Sequence, residues 1–288
     1  MSTTREEFYN KEANDSGQSE NGRLNNGGSV SHMEDLRSTR TNLTLTPEMF
    51  EKLYLSPKNS VAGELRKTFG NPTPIALIGL VLAITPLSAE LMGWRGAAGF
   101  TSTIGVNYFF GGFLMVLGGI LEFFLGNTYP CVVFCSYGAY FFSFAATFDP
   151  RFAAISSYTT DGSQTMEPPF MAGFGFFTLS MGMLSTIYLV CAVRVNLVFV
   201  SIFASASMGF YLVTGAFWQL AQANTKEGNR LLVGTGASFF VTGMMAWYLL
   251  LVIMLATLDF PFSLPVGDLS GLIKGASDRA KIRKARQE

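Results

Sequence analysis

The sequence carries little charge. Aspartate, glutamate, lysine and arginine make up 14% of its 288 residues, whereas a soluble domain has ~25% charged residues. The two signs also balance, at 20 basic and 20 acidic residues. A nucleic-acid-binding protein instead concentrates basic residues in its folded body. We therefore expect no nucleic acid as a partner, and the low charge argues against an ordinary soluble domain.

Histidine and cysteine, which form most metal sites and many catalytic sites, are also scarce. The single histidine is His32, and the three cysteines are Cys131, Cys135 and Cys191. Two cysteines four residues apart, with no histidine or carboxylate beside them, do not complete a zinc site. The apolar segments contain no Ser/His/Asp arrangement and no phosphate-binding glycine loop. We expect no metal, no cofactor and no enzymatic activity.

What the sequence does have is six long segments without any charged residue. A helix of about 20 apolar residues crosses the hydrocarbon core of a membrane, and each segment is at least 22 residues long. The amphipathic helices of a soluble protein would carry charges on their outer faces, and the alternation of a membrane barrel is absent. The pattern predicts an all-α, polytopic protein with six transmembrane helices. The segments lie between Lys67 and Glu90, Arg95 and Glu122, Glu122 and Asp149, Glu167 and Arg194, Arg194 and Lys226, and Arg230 and Asp259.

Within these segments the apolar runs and their flanking residues place the helices. Small residues inside the runs, such as Gly111, Gly118 and Gly119, allow helices to approach closely in lipid. We interpret them as packing residues, and as the part of the sequence that supports self-association. The predicted helices are Pro74–Met92, Gly105–Phe124, Pro130–Phe148, Phe170–Cys191, Asn196–Ala216 and Leu231–Leu258.

The two ends of the chain differ from its apolar body. Residues 1–46 are rich in Asn, Gly, Ser and Thr and predict a disordered polar tail. The stretch "TPEMFEKLYL" predicts a short helix within residues 47–70, ahead of a six-helix membrane domain at 71–258. Residues 259–288 form a basic tail, which suits the anionic cytosolic face of a membrane.

Basic residues near the membrane ends favour both tails in the cytosol. Five lie on the side of the tails and four on the opposite side, and the positive-inside rule places the richer side in the cytosol. The five are Arg66, Lys67, Arg194, Lys274 and Arg279, and the four are Arg95, Arg151, Lys226 and Arg230.

The motif "NPTPIALIGL" at residues 71–80 opens the first apolar segment. A residue before proline avoids helical geometry, so Asn71 and Thr73 should be extended and the helix should begin at the second proline. The N–H groups of Ile75 and Ala76, with the positive end of the helix dipole, would then be free to hold a carboxylate. The alternative is a plain helix start that Asn71 caps.

Two further residues have competing interpretations. Glu122 is the only acid between Gly96 and Phe148, and an ionisable group at membrane depth usually faces a polar cavity. The alternative is a carboxylate at a helix end among lipid headgroups, which the following "LGNT" turn allows. Tyr137, in the third segment, is either an amphipathic packing residue or part of a pore.

Three motifs together resemble the acetate uptake transporter family of microbial and fungal membrane proteins. "NPTPIALIGL" resembles its NPAPLGL signature, and "LEFFLGNTYP" resembles its Leu-Glu-Tyr and Gly-Asn-Thr segment. "FCSYGAYF" resembles its Phe-Thr-Ser-Tyr-Gly-Ser-Phe-Trp segment. The similarity runs from Phe69 to Thr257 with the same order and spacing, and the long polar N-terminal extension resembles the fungal branch.

The resemblance implies transport of acetate and related short monocarboxylates by symport with protons. It also implies a homo-oligomer, a hexamer, in the lipid bilayer. It implies a plasma-membrane location with cytosolic termini. The competing hypothesis is a non-transporting membrane sensor or organiser that signals through its tails.

The resemblance also implies site residues. A narrow apolar gate would consist of Leu80, Tyr137 and Ile202, with Leu80 where the family has a phenylalanine. Glu122 would serve in gating or proton linkage. Thr73 departs from the family's alanine, and Ile75 and Ala76 depart from its Leu-Gly. The expected substrate pathway is Asn71, Thr73, Ile75, Ala76, Leu80, Tyr137 and Ile202.

Overall fold

The computed structural model describes residues 69–269 and 283–285. Within them the predicted all-α fold is confirmed: six helices are long and apolar enough to cross a membrane. β structure in the described part is one isolated bridge, between Asn196 and Asp268. The helices are α1 (Thr73–Leu91), α2 (Ile104–Phe124), α3 (Thr128–Phe148), α4 (Pro168–Ala192), α5 (Leu197–Ala221) and α6 (Thr225–Thr257).

The start of α1 differs by one residue from the prediction. Thr73 is already helical, and Pro72 stands before it with φ −84° and ψ −13°, so the expectation that Thr73 is extended was wrong. The Oδ1 atom of Asn71 accepts a hydrogen bond of 3.0 Å from the Thr73 N–H. This bond replaces the intrahelical partner that the first N–H of a helix lacks, and it lets the helix begin earlier.

The sixth helix begins at Thr225, well before the predicted Leu231. Its first turns contain charged residues, which the charge-free pattern excluded from the helix. Glu227 lies in the first turn, where a carboxylate favours the positive end of the helix dipole, and it pairs with Arg230 at 2.8 Å. The charged turns extend α6 beyond its apolar part.

Two neighbouring helices are irregular in their middle parts. In α2, residues Asn107–Leu114 form a π-helix, which the sequence did not predict. In α1, Pro86 lies inside the helix and has no N–H to donate to the preceding turn. The two stretches are adjacent, because a Cβ added at Gly111 would lie 2.9 Å from the Cβ of Ala83.

The helices pack in two groups that α1 and α6 join. Helix α2 packs between α1 and α3, while α5 packs between α4 and α6, and α6 packs along α1. Side chains connect α3 to α4: the Tyr129 hydroxyl donates to the Tyr188 carbonyl at 2.8 Å. Helices α1, α2, α3, α5 and α6 thereby surround a central cavity.

Three glycines of α2, Gly111, Gly118 and Gly119, lie inside the subunit. An added Cβ at Gly118 would lie 2.7 Å from the Cβ of Ala76, and one at Gly119 would lie 2.6 Å from the sulfur of Cys135. An added Cβ at Gly111 would lie 2.6 Å from the ring of Phe141. The suggestion that these glycines form faces for self-association was therefore wrong, whereas their interpretation as packing residues fits the structure.

The segment after α6 folds back onto the helix ends. The Leu197 N–H donates to the Gly267 carbonyl at 2.8 Å, and the Leu269 N–H donates to the Val195 carbonyl at 3.2 Å. The Tyr248 hydroxyl donates to the Pro265 carbonyl at 2.5 Å. The predicted polar tail, almost all of the 47–70 segment and most of the basic tail lie outside the described residues.

Candidate functional site

A small cavity of about 40 Å³ lies at the centre of the helices. Its walls are almost entirely apolar and aromatic, with Thr242 as one exception. Leu80 of α1, Tyr137 of α3 and Ile202 of α5 all line it. The structure therefore brings together, from three separate helices, the three residues that the sequence resemblance grouped as a gate.

Tyr137 is held from two sides. Its hydroxyl shares a hydrogen bond of 2.6 Å with Ser185 of α4, and its ring stacks between Phe203 and Phe210 of α5. Ser185 is fully buried. Its contact with Tyr137 could not be predicted, because α4 contains several similar hydroxyl residues and the contact joins residues 48 positions apart.

Glu122, near the end of α2, lies in a buried polar cluster beside the start of α1. Glu90 lies near the other end of α1. Glu122 is completely buried, and it accepts hydrogen bonds from the Thr73 hydroxyl and from the Asn127 side-chain amide, the latter at 2.5 Å. The cluster links the start of α1, the end of α2 and the start of α3. Glu122 is thus not a solvated helix end. Asn127 belongs to the "GNT" motif but was not singled out from the sequence.

An open pocket of about 450 Å³ lies beside the start of α1 and includes Asn71 and Ile75 in its wall. The Ile75 N–H donates to the Pro72 carbonyl at 3.0 Å, so the expectation of a free N–H there was wrong. Ala76 is fully buried and packs beneath Gly118. Asn71 and Ile75 face this pocket, whereas Thr73 and Ala76 face the helix contacts.

Aromatic side chains pack together where α1 ends. Phe100, on the loop after α1, contacts Phe148 with ring centroids 4.8 Å apart, and it also contacts Phe144 and Phe217. Glu90, which is buried, accepts hydrogen bonds from Ser102 and Thr103. These bonds fix the loop that carries Phe100 to the end of α1.

Two charged residues, Asp149 and Arg151, lie in the loop that follows α3. The Arg151 guanidinium bonds both carboxylate oxygens of Asp149 and, through these bonds, holds the pKa of Asp149 below its usual value. In the described part of the chain, His, Cys, Asp and Glu side chains form no group of three that could hold a metal ion. The chemistry that the lining of the central cavity offers is apolar contact together with the hydroxyl groups of Tyr137, Tyr140 and Thr242.

Comparison with known proteins places the chain in a family. Residues 54–271 match the model of the GPR1/FUN34/yaaH family. The chain is 46% identical over 246 residues to "Protein alcS" of Aspergillus fumigatus, covering 83% of this chain and 89% of that protein. It is 30% identical over 203 residues to "Acetate transporter protein patA" of Aspergillus clavatus, covering 70% of this chain and 80% of that protein.

A solved structure shares the fold. The bacterial acetate channel SatP superposes with a TM-score of 0.55 at 22% identity, covering 69% of this chain and 99% of that chain. Together with the six apolar helices, this likeness supports an integral, multi-pass membrane protein. The family match confirms the resemblance that the three motifs indicated. The chain belongs to the GPR1/FUN34/yaaH family.

Proposed function

We propose that the protein moves acetate and related short monocarboxylates across a membrane. The observation that carries the proposal is the meeting of Leu80, Tyr137 and Ile202 on the wall of one apolar cavity at the centre of the helices. A relative with 30% identity is named an acetate transporter, which supports the same substrate class.

The proposed pathway begins at the pocket beside Asn71 and Ile75. From there it runs along the interface where Thr73 and Ala76 of α1 contact α2. It then reaches the constriction at Tyr137. A cavity of about 40 Å³ holds only a few water molecules, so passage requires the Tyr137 region to widen. The hydrogen bond of Tyr137 to Ser185 and the flexible side chain of Leu80 are the contacts that such widening would change.

We further propose that flux is coupled to protons through Glu122. A buried carboxylate that accepts two hydrogen bonds must rearrange those bonds when it takes up a proton, because a protonated oxygen becomes a donor. Glu122 lies on α2 and its two partners lie at the starts of α1 and α3, so protonation can be transmitted to the relative positions of these three helices. This linkage would join substrate movement to the pH difference across the membrane.

The assembly and location that we propose follow the family resemblance. The protein would form a homo-oligomer, a hexamer, with one conduit in each subunit. It would lie in the plasma membrane with both termini in the cytosol, where residues 1–46 form a polar tail and residues 259–288 a basic one.

Uptake of labelled acetate into proteoliposomes, with and without an imposed pH gradient, tests the function. We expect acetate flux that an inward proton gradient increases. Tyr137→Ala should admit longer acids, because it removes the bulk of the constriction. The matched control is Tyr211→Ala, since Tyr211 lies on α5 with 41% of its side chain exposed. Absence of carboxylate flux in the wild type would refute transport and favour a sensor.

A further inference from the structure

Asn107 is the most isolated polar side chain of the described helices. It is completely buried, and neither its amide nitrogen nor its amide oxygen has a hydrogen-bond partner among the described residues. Leaving both atoms unpaired costs free energy, and buried amides in folded proteins are normally satisfied. A side chain kept in this state is suited to bind something that is not part of the chain.

Asn107 lies on α2, two turns before the cavity-lining Met115. It is the first residue of the π-helix of α2. Gly111 and Met115 follow at four-residue intervals, which lie close to one helix face. Met115 lines the cavity, and Gly111 packs against Phe141, which lines it as well. Asn107 therefore continues the cavity-facing row by one turn towards the loop between α1 and α2.

The surrounding backbone is irregular in the way that binding sites in membrane helices often are. π-Helical turns occur frequently at functional sites, and transporters bind substrates where helices are interrupted. Here the π-helix begins at Asn107, and the adjacent α1 contains Pro86. The unpaired amide and the two irregular helices are independent observations that coincide in one region.

The chemistry of the site favours a neutral acid over a carboxylate anion. An amide presents one donor and one acceptor side by side, and a protonated carboxylic acid presents the complementary pair. A bare carboxylate has no donor for the amide oxygen and needs a cation when buried. The described buried residues include no lysine or arginine, and Arg151, in the nearby loop, is paired with Asp149.

We propose that Asn107 binds the protonated form of a short carboxylic acid between the Tyr137 constriction and the α1–α2 loop. The Nδ2–H group donates to the acid carbonyl, and the Oδ1 atom accepts from the acid hydroxyl. This inference rests on the proposed transport of short monocarboxylates. It adds that the substrate occupies this part of the pathway without charge, so the proton travels on the substrate there.

Asn107→Leu tests the proposal, because leucine has a similar size and no polar atoms. The purified full-length variant should melt at a higher temperature than the wild type when no acid is present, since an unpaired buried amide is removed. Adding acetate at acidic pH should raise the melting temperature of the wild type, and adding it at neutral pH should raise it much less. In Asn107→Leu the apparent affinity should fall about tenfold or more.

The matched control is Ser207→Ala. The Ser207 hydroxyl is also buried without a partner in the described part of the chain, but Ser207 does not line the cavity. Its replacement should leave the response to acetate unchanged. Asn107→Ala serves as a second variant in case leucine is too large for the site, and it should lose the same response.

Two results would overturn the site: a wild type whose melting temperature does not respond to acid, or equal responses in wild type and Asn107 variants. Uptake by the same preparations separates this inference from the proposed function. An Asn107-dependent acid response without acetate flux would reject transport and retain the site. Flux with an unchanged KM in Asn107→Leu would retain transport and reject the site.

Discussion

Glu122 accepts hydrogen bonds from two side chains, and a glutamine in its place could form a hydrogen bond with each of them. The side-chain oxygen of glutamine can accept from Asn127, and its NH₂ group can donate to the Thr73 hydroxyl, which also accepts. Glu122→Gln should therefore fold and reach the membrane. We expect its acetate flux to lose the part of its pH dependence that comes from Glu122, since the exchangeable proton of this side chain is gone, whereas the part that follows protonation of the acid itself should remain. The measurement is the initial rate of labelled acetate uptake across a pH series.

A second carboxylate provides the control for that experiment. Glu227 lies in the first turn of α6, is 55% exposed in its side chain and pairs with Arg230. Glu227→Gln removes the same charge at the surface, so its pH profile should match the wild type. An unchanged pH profile in Glu122→Gln would reject the proton linkage and leave Glu122 as a structural residue.

Ser185 is a positioning residue for Tyr137. Its hydroxyl, 2.6 Å from that of Tyr137, fixes where the ring stands in the cavity wall. Ser185→Ala should shift the ratio of KM values between acetate and longer acids several-fold, and Tyr137→Phe should produce a similar shift. Because both remove one hydrogen bond, the double variant should resemble either single one.

A buried hydroxyl pair that joins α4 and α5 provides the comparison. Thr178 bonds Thr214 at 2.9 Å, and neither residue lines the cavity. Thr178→Val should alter stability without altering the ratio of KM values. Additive effects of Ser185→Ala and Tyr137→Phe would mean that Ser185 does not act through the tyrosine.

At the level of helices, the contact between α1 and α2 depends on a glycine. The backbone nitrogen of Ala76 lies 2.9 Å from where a Cβ of residue 118 would stand, which leaves no space for a side chain. Gly118→Val should lower the free energy of unfolding by about 1–3 kcal/mol through overpacking. Thermal unfolding in detergent measures the change. Gly105→Ala, in the same helix with nothing within 4 Å of the new Cβ, should not destabilise the protein.

The sequence predicted the number and type of helices because lipid requires long charge-free runs. It misplaced the start of α6, since Lys226, Glu227 and Arg230 occupy helical turns that extend beyond the apolar run. It also missed the π-helix, which no local pattern marks. The sequence shows Asn107 as an amide inside an apolar segment. Whether this side chain finds a hydrogen-bond partner depends on how α1 and α3 pack against α2. Contacts such as Tyr137 with Ser185 arise only when distant helices meet.

The outer surface of the whole subunit has large apolar side chains available for lipid or for other subunits. Phe109, Phe123 and Phe176 are each more than 60% exposed, whereas Gly111, Gly118 and Gly119 of α2 pack inside the subunit. We expect a hexamer whose contacts involve such exposed faces rather than glycine faces. Native mass measurement in lipid nanodiscs should give six copies. A monomer that still transports acetate would remove the oligomer from the mechanism.

The orientation of the whole molecule can be read from glycosylation. The sequons "NDS" at Asn14 and "NLT" at Asn42 are acceptors that are modified only in the secretory lumen. With the tails in the cytosol, we expect both asparagines to carry no sugar. Mobility on a gel before and after glycosidase treatment measures this in protein expressed through a secretory pathway.

The loop between α3 and α4 offers the positive control, because it lies on the opposite side of the membrane from the tails. Ser157→Asn creates the sequon Asn-Tyr-Thr at an exposed position midway along this loop, far from both membrane ends. The variant should gain one glycan while the wild type gains none. A glycan on Asn42 would reverse the orientation, since the five basic residues on the tails' side would then lie outside. That result would also place the pocket beside Asn71 outside the cell and the Phe100 end inside it.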